Sequence, residues 1–247
     1  MTEIQRNMNI VGSWTPPVWI DILKQIWEYG DLTRVIYDGQ LIDTIELIGI
    51  RSQIQFPARG AFPDGYIWKP GSQSWEDYKA GFISKSNAGF EYTYGERLRS
   101  WGAGKMCTRE GQIISLDQLD YIIRELRRDP SSRRASAVTW VPPHDENIQS
   151  PPCMMSFQAL IRKNQLHAVV TYRSHDMFGA YPANAYGLSG VMEYIADHVD
   201  INDIGSLTLF SQSAHIYWFN WPEVAKLIKS DFEVPYGKRI QVTNARA

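Results

Sequence analysis

Cysteine is nearly absent from this chain, which holds only Cys107 and Cys153, far apart in sequence. Two distant cysteines make neither a zinc-ligand spacing nor a disulfide framework, so no metal is expected and a reducing, cytoplasmic setting is. Charge of one sign is also lacking. A formal net charge of −2 gives no overall pull toward nucleic acid or an anionic membrane, and no specific nucleic-acid partner is expected. No run is apolar enough to span a bilayer, and the polar start Met1-Thr2-Glu3 does not read as a signal peptide, so no membrane association is expected. A Gly-rich phosphate loop, H-E-x-x-H and G-x-S-x-G are all missing, which leaves nucleoside triphosphate chemistry, zinc proteolysis and serine hydrolysis without support. Internal repeats and low-complexity segments are missing too.

What is present is an ordinary globular pattern, long enough at 247 residues for one large domain or two small ones. Helical apolar spacing runs over Val18 to Tyr29, ends at Gly30, and recurs from Leu116 to Arg128, with Leu116, Leu119, Ile122, Ile123 and Leu126 on one side. Asn184 to His198 is small and apolar almost all round, which predicts a helix buried at the centre. Trp75 to Ser84 and Pro222 to Lys229 read as short helices. Asp43 to Ile50, Ala135 to Val141, Met155 to Arg162, Leu166 to Arg173 and Leu207 to Tyr217 read as strands, and Arg51 to Gly71 as a long ordered loop. The elements mix without regular βαβ alternation, which favours an α+β fold over a doubly wound sheet.

The chemistry concentrates between Pro151 and Asn184. Folding Met155 to Arg173 as a hairpin about Lys163-Asn164-Gln165 brings Cys153 near His175, beside Arg173, Ser174 and Asp176. A thiol beside a fixed guanidinium is expected to have a lowered pKa and to act as a nucleophile. An arbitrary lone cysteine is more often buried and inert, but Pro151-Pro152 rigidly presents this one at the mouth of a strand. Arg133 and Arg134, between a helix stop and a strand, could join Arg173 in an anion pocket; any single arginine is more often solvated surface. Asn184 offers one acceptor and two donors, enough for N3–H and O4 of a uracil ring, although alone it reads as a helix N-cap after Pro182. His215 and Tyr217, two apart on a strand, face one side and could bind a sugar hydroxyl; singly, each reads as a satisfied core residue.

The ordered set Tyr94-Gly95, Asp117-Gln118, D-P-S-S-R-R (129–134), P-P-C (151–153), R-S-H-D-x-F (173–178), P-A-N (182–184) and H-I-Y (215–217) resembles thymidylate synthase, in the archaeal branch of that family. The resemblance runs from about Tyr92 to Tyr217. It implies one domain over residues 1–247, with a mixed or antiparallel sheet and a buried central helix. It also implies a homodimer with shared active sites. Implied roles follow position by position. Cys153 attacks C6 of the uracil of dUMP. Arg173 and Ser174 bind the 5′-phosphate, with Arg133 and Arg134 reaching it from the other subunit. Asn184 reads N3 and O4, His215 and Tyr217 hold the deoxyribose hydroxyl, Asp176 orients the pterin, and Tyr94 helps the C5 proton leave. Arg51 is a further phosphate ligand on a mobile loop. The donor implied is 5,10-methylenetetrahydrofolate or a tetrahydromethanopterin-type analogue.

Three departures stand out. Met154 follows the nucleophile where the family usually has histidine. The family's catalytic glutamate has no matching motif here, and Glu76 in W-E-D-Y is assigned to it. The C-terminus reads Q-V-T-N-A-R-A in place of an apolar tail. The expected reaction is reductive methylation of dUMP to dTMP. Thiolate addition at C6 makes C5 a carbon nucleophile toward the donor's methylene, and hydride completes the methyl group. The rival readings are a dUMP or dCMP 5-hydroxymethylase of the same family, and a catalytically silent member that binds nucleotide or RNA.

Overall fold

The computed structural model describes residues 6–37, 39–58, 62–64, 66, 74–87 and 89–229; the C-terminal Q-V-T-N-A-R-A lies outside them. Strand β1 (Asn9–Gly12) leads into helix α1 (Thr15–Tyr29), then β2 (Asp31–Tyr37) and the long β3 (Gln40–Ile54). Helices α2 (Trp75–Gly81), α3 (Tyr94–Arg99) and α4 (Gln118–Arg128) precede β4 (Ser136–Val138) and the one-turn α5 (Pro142–Asp145). The hairpin of β5 (Met154–Arg162) and β6 (Gln165–Asp176) is followed by α6 (Tyr181–His198), β7 (Asp203–Tyr217) and α7 (Trp221–Ile228). The strands form one mixed sheet in the order β1-β3-β7-β6-β5-β4, with β2 also on β3. The fold is therefore α+β. No helix among the described residues is long and apolar enough to cross a membrane.

Local chemistry sets the element ends. Prolines occupy the first turns of α1, α6 and α7, where a missing N–H leaves no bond unmade, so α1 and α6 begin three residues ahead of the apolar periodicity. Asn184 consequently lies inside α6, its N–H on the Ala180 carbonyl at 2.9 Å, and is not the helix cap. The Asp117 carboxylate caps α4 through the Asp120 N–H at 3.1 Å, which leaves Leu116 outside the helix and 52% exposed. Lys163 (φ 51°) and Asn164 (φ 59°) make a two-residue left-handed turn, and Gln165 already belongs to β6. The expected loop from Arg51 onward is corrected: β3 runs to Ile54 because β1, parallel, and β7, antiparallel, flank it along Arg51 to Ile54.

Helix α6 is the buried centre. Residues such as Ala183, Ala185, Gly187, Ser189 and Gly190 keep its contact surface thin where it meets the sheet and α2. The sheet it lies on is bent along one line. Burial alternates on β3 through Ile45 and Leu47, then resumes at Ile50, Ser52 and Ile54, with Ile48 and Gly49 both outside the core. The same slip occurs on β7 at Gln212–Ser213 and on β6 at Arg173–Ser174. Ile48, Ser213 and Ser174 stand on one rung, so the three slips are aligned, and β5 carries an extra residue at Met155 beside them. Gly49 meets the bend with φ 84°, a conformation that side chains resist. Beyond the line, side chains that regular alternation would have turned into the core, Glu46, His215 and Tyr217 among them, face a cleft instead.

The β5–β6 turn provides a test of the register on which that cleft depends. Asn164→Val is expected to lower stability by about 1–2 kcal/mol, because a β-branched residue resists the left-handed region, while Asn164→Gly should be neutral or stabilising. Urea midpoints of the three proteins measure this, and a valine variant as stable as the parent would contradict the turn.

Candidate functional site

The cleft below the bend has a volume of about 370 Å³ and draws its wall from β2, β3, β6, β7 and the segment leading into β5. Cys153, Arg173, Ser174, His215 and Tyr217, all expected in a site, line it together, as do Glu46, Tyr92, Thr44 and Ser213. Cys153 is half-buried at the start of β5, where its carbonyl accepts the Arg173 N–H at 2.9 Å. The Arg173 guanidinium donates Nε–H to the Pro152 carbonyl at 3.0 Å and an Nη2–H to the Pro151 carbonyl at 2.7 Å. Trp140 Nε1–H also donates to the Pro152 carbonyl, at 2.7 Å. Neither proline can be held through an N–H, so these carbonyl contacts fix the segment that presents the thiol.

The expected low thiol pKa is corrected. Burial pushes the Cys153 thiol up; Arg173 opposes this, and the Asp176 carboxylate reinforces it. The guanidinium that would have favoured thiolate has two of its N–H groups committed to backbone carbonyls. The expected proximity of Cys153 to His175 is also corrected. His175 points to the opposite side, toward α6. It is fully enclosed and stacked on Tyr172 with ring centroids 4.0 Å apart. Burial lowers its pKa to about 3, so the ring is neutral near pH 7. Asn184 Nδ2 lies 3.2 Å from His175 Nε2, and Ser211 Oγ lies 3.0 Å from Nδ1. The amide donates, so Nε2 accepts and Nδ1–H donates to the serine hydroxyl. Neither Asn184 nor Asp176 is among the residues that line the cleft. Asp176 is held by the N–H groups of Phe178 and Gly179 at 3.1 and 2.9 Å, and a Cβ at position 179 would collide with its carboxylate.

Two tyrosines bracket the backbone at Cys153. Tyr94 Oη accepts the Met154 N–H at 3.3 Å, and the Tyr92 hydroxyl is hydrogen-bonded by the Cys153 backbone and by Tyr94. Burial pushes Tyr92 up to about 12 and raises Tyr94 further, so both remain phenols near pH 7. Several motif residues are scaffold. A Cβ at Gly95 would lie 2.7 Å from the Ser84 carbonyl, which accounts for glycine after Tyr94. Gln118 pins β4 through both backbone groups of Val138, at 2.9 and 2.7 Å.

The structure leaves other expected residues outside the cleft. Arg133 and Arg134 are exposed at the start of β4, away from the cleft of their own chain. Glu76 is exposed in the first turn of α2 and does not line the cleft; the carboxylate that does is Glu46 on β3. Arg51 is no loop ligand: it is a strand residue whose guanidinium binds the side chains of Asn9 and Gln53 on the outer face. Glu46 escaped sequence reading because its link to His215 is a cross-strand pairing between segments far apart in the chain. Tyr92 had a weak signal, two residues before the Tyr94-Gly95 motif. No group of His, Cys, Asp and Glu among the described residues could hold a metal ion.

Comparison with known proteins follows the same lines. The family model for thymidylate synthase matches residues 61–243, more than half of the chain. A Methanosarcina barkeri protein is 40% identical over 85% of this chain and 90% of its own length. Relatives from Methanosarcina acetivorans (38%, with the same coverages) and Methanothermobacter thermautotrophicus (35%, over 82% of this chain and 86% of its own) are also similar. Each carries the name "Putative thymidylate synthase".

The opposed influences on Cys153 have a direct readout in the pH dependence of its alkylation by iodoacetamide, followed by peptide mass spectrometry. The midpoint should lie above the ordinary thiol range, rise further in Arg173→Ala and fall in Asp176→Asn. A midpoint below the ordinary range in the parent protein, or shifts of opposite sign in the variants, would refute this balance.

Proposed function

Because the chain belongs to the thymidylate synthase family, we propose that it methylates dUMP reductively to dTMP through a covalent bond between Cys153 and C6 of the ring. The observation that carries this reading is the single cleft in which a thiol, a cation and sugar-binding side chains converge: Cys153, Arg173, Ser174, His215 and Tyr217. The donor class that the family implies is a reduced folate-type one-carbon carrier, 5,10-methylenetetrahydrofolate or a methanopterin-type analogue, used as a second substrate.

In this reading the 5′-phosphate docks on Arg173 and Ser174 and sets the ring over Cys153, so that attack is intramolecular in effect. Phosphate at Arg173 replaces the carbonyl contacts with a bidentate anion pair, while thiolate formation remains opposed by burial. Asn184, with one amide N–H on His175, keeps its carbonyl and its second N–H, an acceptor–donor pair that fits N3–H and O4 of uracil. Charge that develops at O4 is met by that donor. Tyr92 and Tyr94, un-ionised and bonded to the backbone at the thiol, steady the nucleophile, and Tyr94 is the group assigned to proton loss from C5. Asp176 is assigned to the pterin. Met154 is fully buried and does not reach the cleft, so the residue that departs from the family pattern gives the hydroxymethylase reading no support there.

The homodimer is part of the proposal. Val138, Val169 and Phe210 are 36–48% exposed on sheet strands, and apolar strand surface of this kind is what a second copy would cover. Arg133 and Arg134 emerge at the β4 edge of the same sheet, free to reach a partner's cleft.

Incubation with dUMP and methylenetetrahydrofolate, followed by mass analysis of the nucleotide, is expected to give the methyl product; a hydroxymethyl product, or no product with either class of carrier, would reject the proposal. The 5-fluoro analogue of dUMP should leave an adduct on Cys153 and none on Cys107, and Cys153→Ser should abolish turnover. Shared sites have their own test. Arg133→Ala with Arg134→Ala gives one dead protein and Cys153→Ala another, and reassorted equal mixtures should regain about a quarter of parental activity, since half the dimers are mixed and each has one intact site. Recovery near zero with mixed dimers present would place the arginines in their own subunit's chemistry or in none.

A further inference from the structure

One carboxylate in the cleft is left without an assigned role. The β3–β7 register sets Glu46 directly opposite His215, and both side chains line the cleft. Directly opposed residues on one face of an antiparallel pair have Cβ atoms about 5 Å apart. Glu46 makes no hydrogen bond or ion pair with any described residue, and His215 Nε2 is buried without a hydrogen-bond partner. A backbone contact at Ser213 favours the protonated ring. Burial favours the neutral ring, although Asp176 and Glu46 both draw it toward protonation.

This corner therefore holds a carboxylate and an unpartnered ring nitrogen side by side, with Tyr217 two residues further along β7. A buried ring nitrogen left without a partner is costly, so the corner is built to receive a polar group from a ligand. A negatively charged carboxylate there also repels an anion. Arg173 offers the opposite character elsewhere in the cleft wall, so the cleft is polarised: a cation for an anionic group, a carboxylate and an imidazole for a neutral hydroxyl.

We propose that Glu46 is a specificity-determining residue, which with His215 holds the free 3′-hydroxyl of the bound deoxynucleotide and excludes nucleotides phosphorylated or chain-linked at that oxygen. The inference rests on the reading of the cleft as a site for a deoxynucleoside monophosphate. The hydroxyl donates its one hydrogen to the Glu46 carboxylate, and its oxygen faces the His215 ring and the Tyr217 hydroxyl. A charge-assisted bond of this kind discriminates more sharply than one to imidazole alone.

Calorimetric binding of three ligands tests this: dUMP, its 3′-deoxy analogue, and deoxyuridine 3′,5′-bisphosphate. The parent protein should bind dUMP about tenfold or more tightly than the 3′-deoxy analogue, and the bisphosphate more weakly still. Glu46→Gln should weaken dUMP about tenfold, leave the 3′-deoxy analogue unchanged, and improve the bisphosphate. Glu46→Ser, which removes the charge in a smaller side chain, must repeat the pattern, and thermal melts check that each variant is folded. Equal weakening of dUMP and the 3′-deoxy analogue in both variants, or unchanged discrimination against the bisphosphate, overturns the inference while leaving the nucleotide reading intact. A parent protein that binds no dUMP overturns that reading, and this inference with it.

Discussion

The aligned slip of β3, β6 and β7 is the constraint on which the site depends. A regular strand sends alternate side chains to opposite faces, and here one face is packed on α6 and α1. Without the slip, the residues below the bend would keep the alternation of those above it, and Glu46, His215 and Tyr217 would not share a concave wall with Arg173. Because Ile48, Ser213 and Ser174 lie on one rung, the strands bend together and the ladder is preserved. Gly49 relieves the bend on β3 with a backbone conformation that few other residues adopt.

Inside the bend, burial outweighs charge. Arg173 would by itself favour a thiolate, yet Cys153 is pushed up because enclosure and Asp176 act against it. The guanidinium is meanwhile engaged in holding Pro151 and Pro152, two residues that cannot be held through an N–H. A dianionic phosphate is the kind of ligand that could redirect that cation, which would couple its docking to the state of the Cys153 thiol. Behind the wall, the neutral His175 joins Ser211 to Asn184 and so fixes the direction in which the asparagine amide points. One residue thus orients the group assigned to reading the base without facing the cleft itself.

Much of the element inventory was legible from the sequence because it rests on local signals: apolar spacing in α1 and α4, small residues all round α6, and polar turn residues between β5 and β6. The misreadings have non-local causes. Arg51 reads as loop because the partners that make it a strand, β1 and β7, lie far from it in the chain. Asn184 reads as a cap until Pro182 is seen to occupy the first turn of its helix. His175 reads as a neighbour of Cys153 on a regular hairpin, and the slip at Arg173–Ser174 turns it the other way.

The sequence by itself determined the α+β class, the buried central helix and the family, because each depends on residue types at fixed spacing along the chain. It also singled out Cys153, Arg173, Ser174, His215 and Tyr217, which the cleft brings together. The tertiary structure alone decided that Glu46 faces His215, that Asn184 is steered by His175, and that Arg133 and Arg134 lie outside their own cleft. The physical reason is the same in each case: pairing across a sheet and burial against a helix join residues whose separation along the chain carries no periodic signal, and the balance between desolvation and nearby charge exists only once the chain has enclosed them.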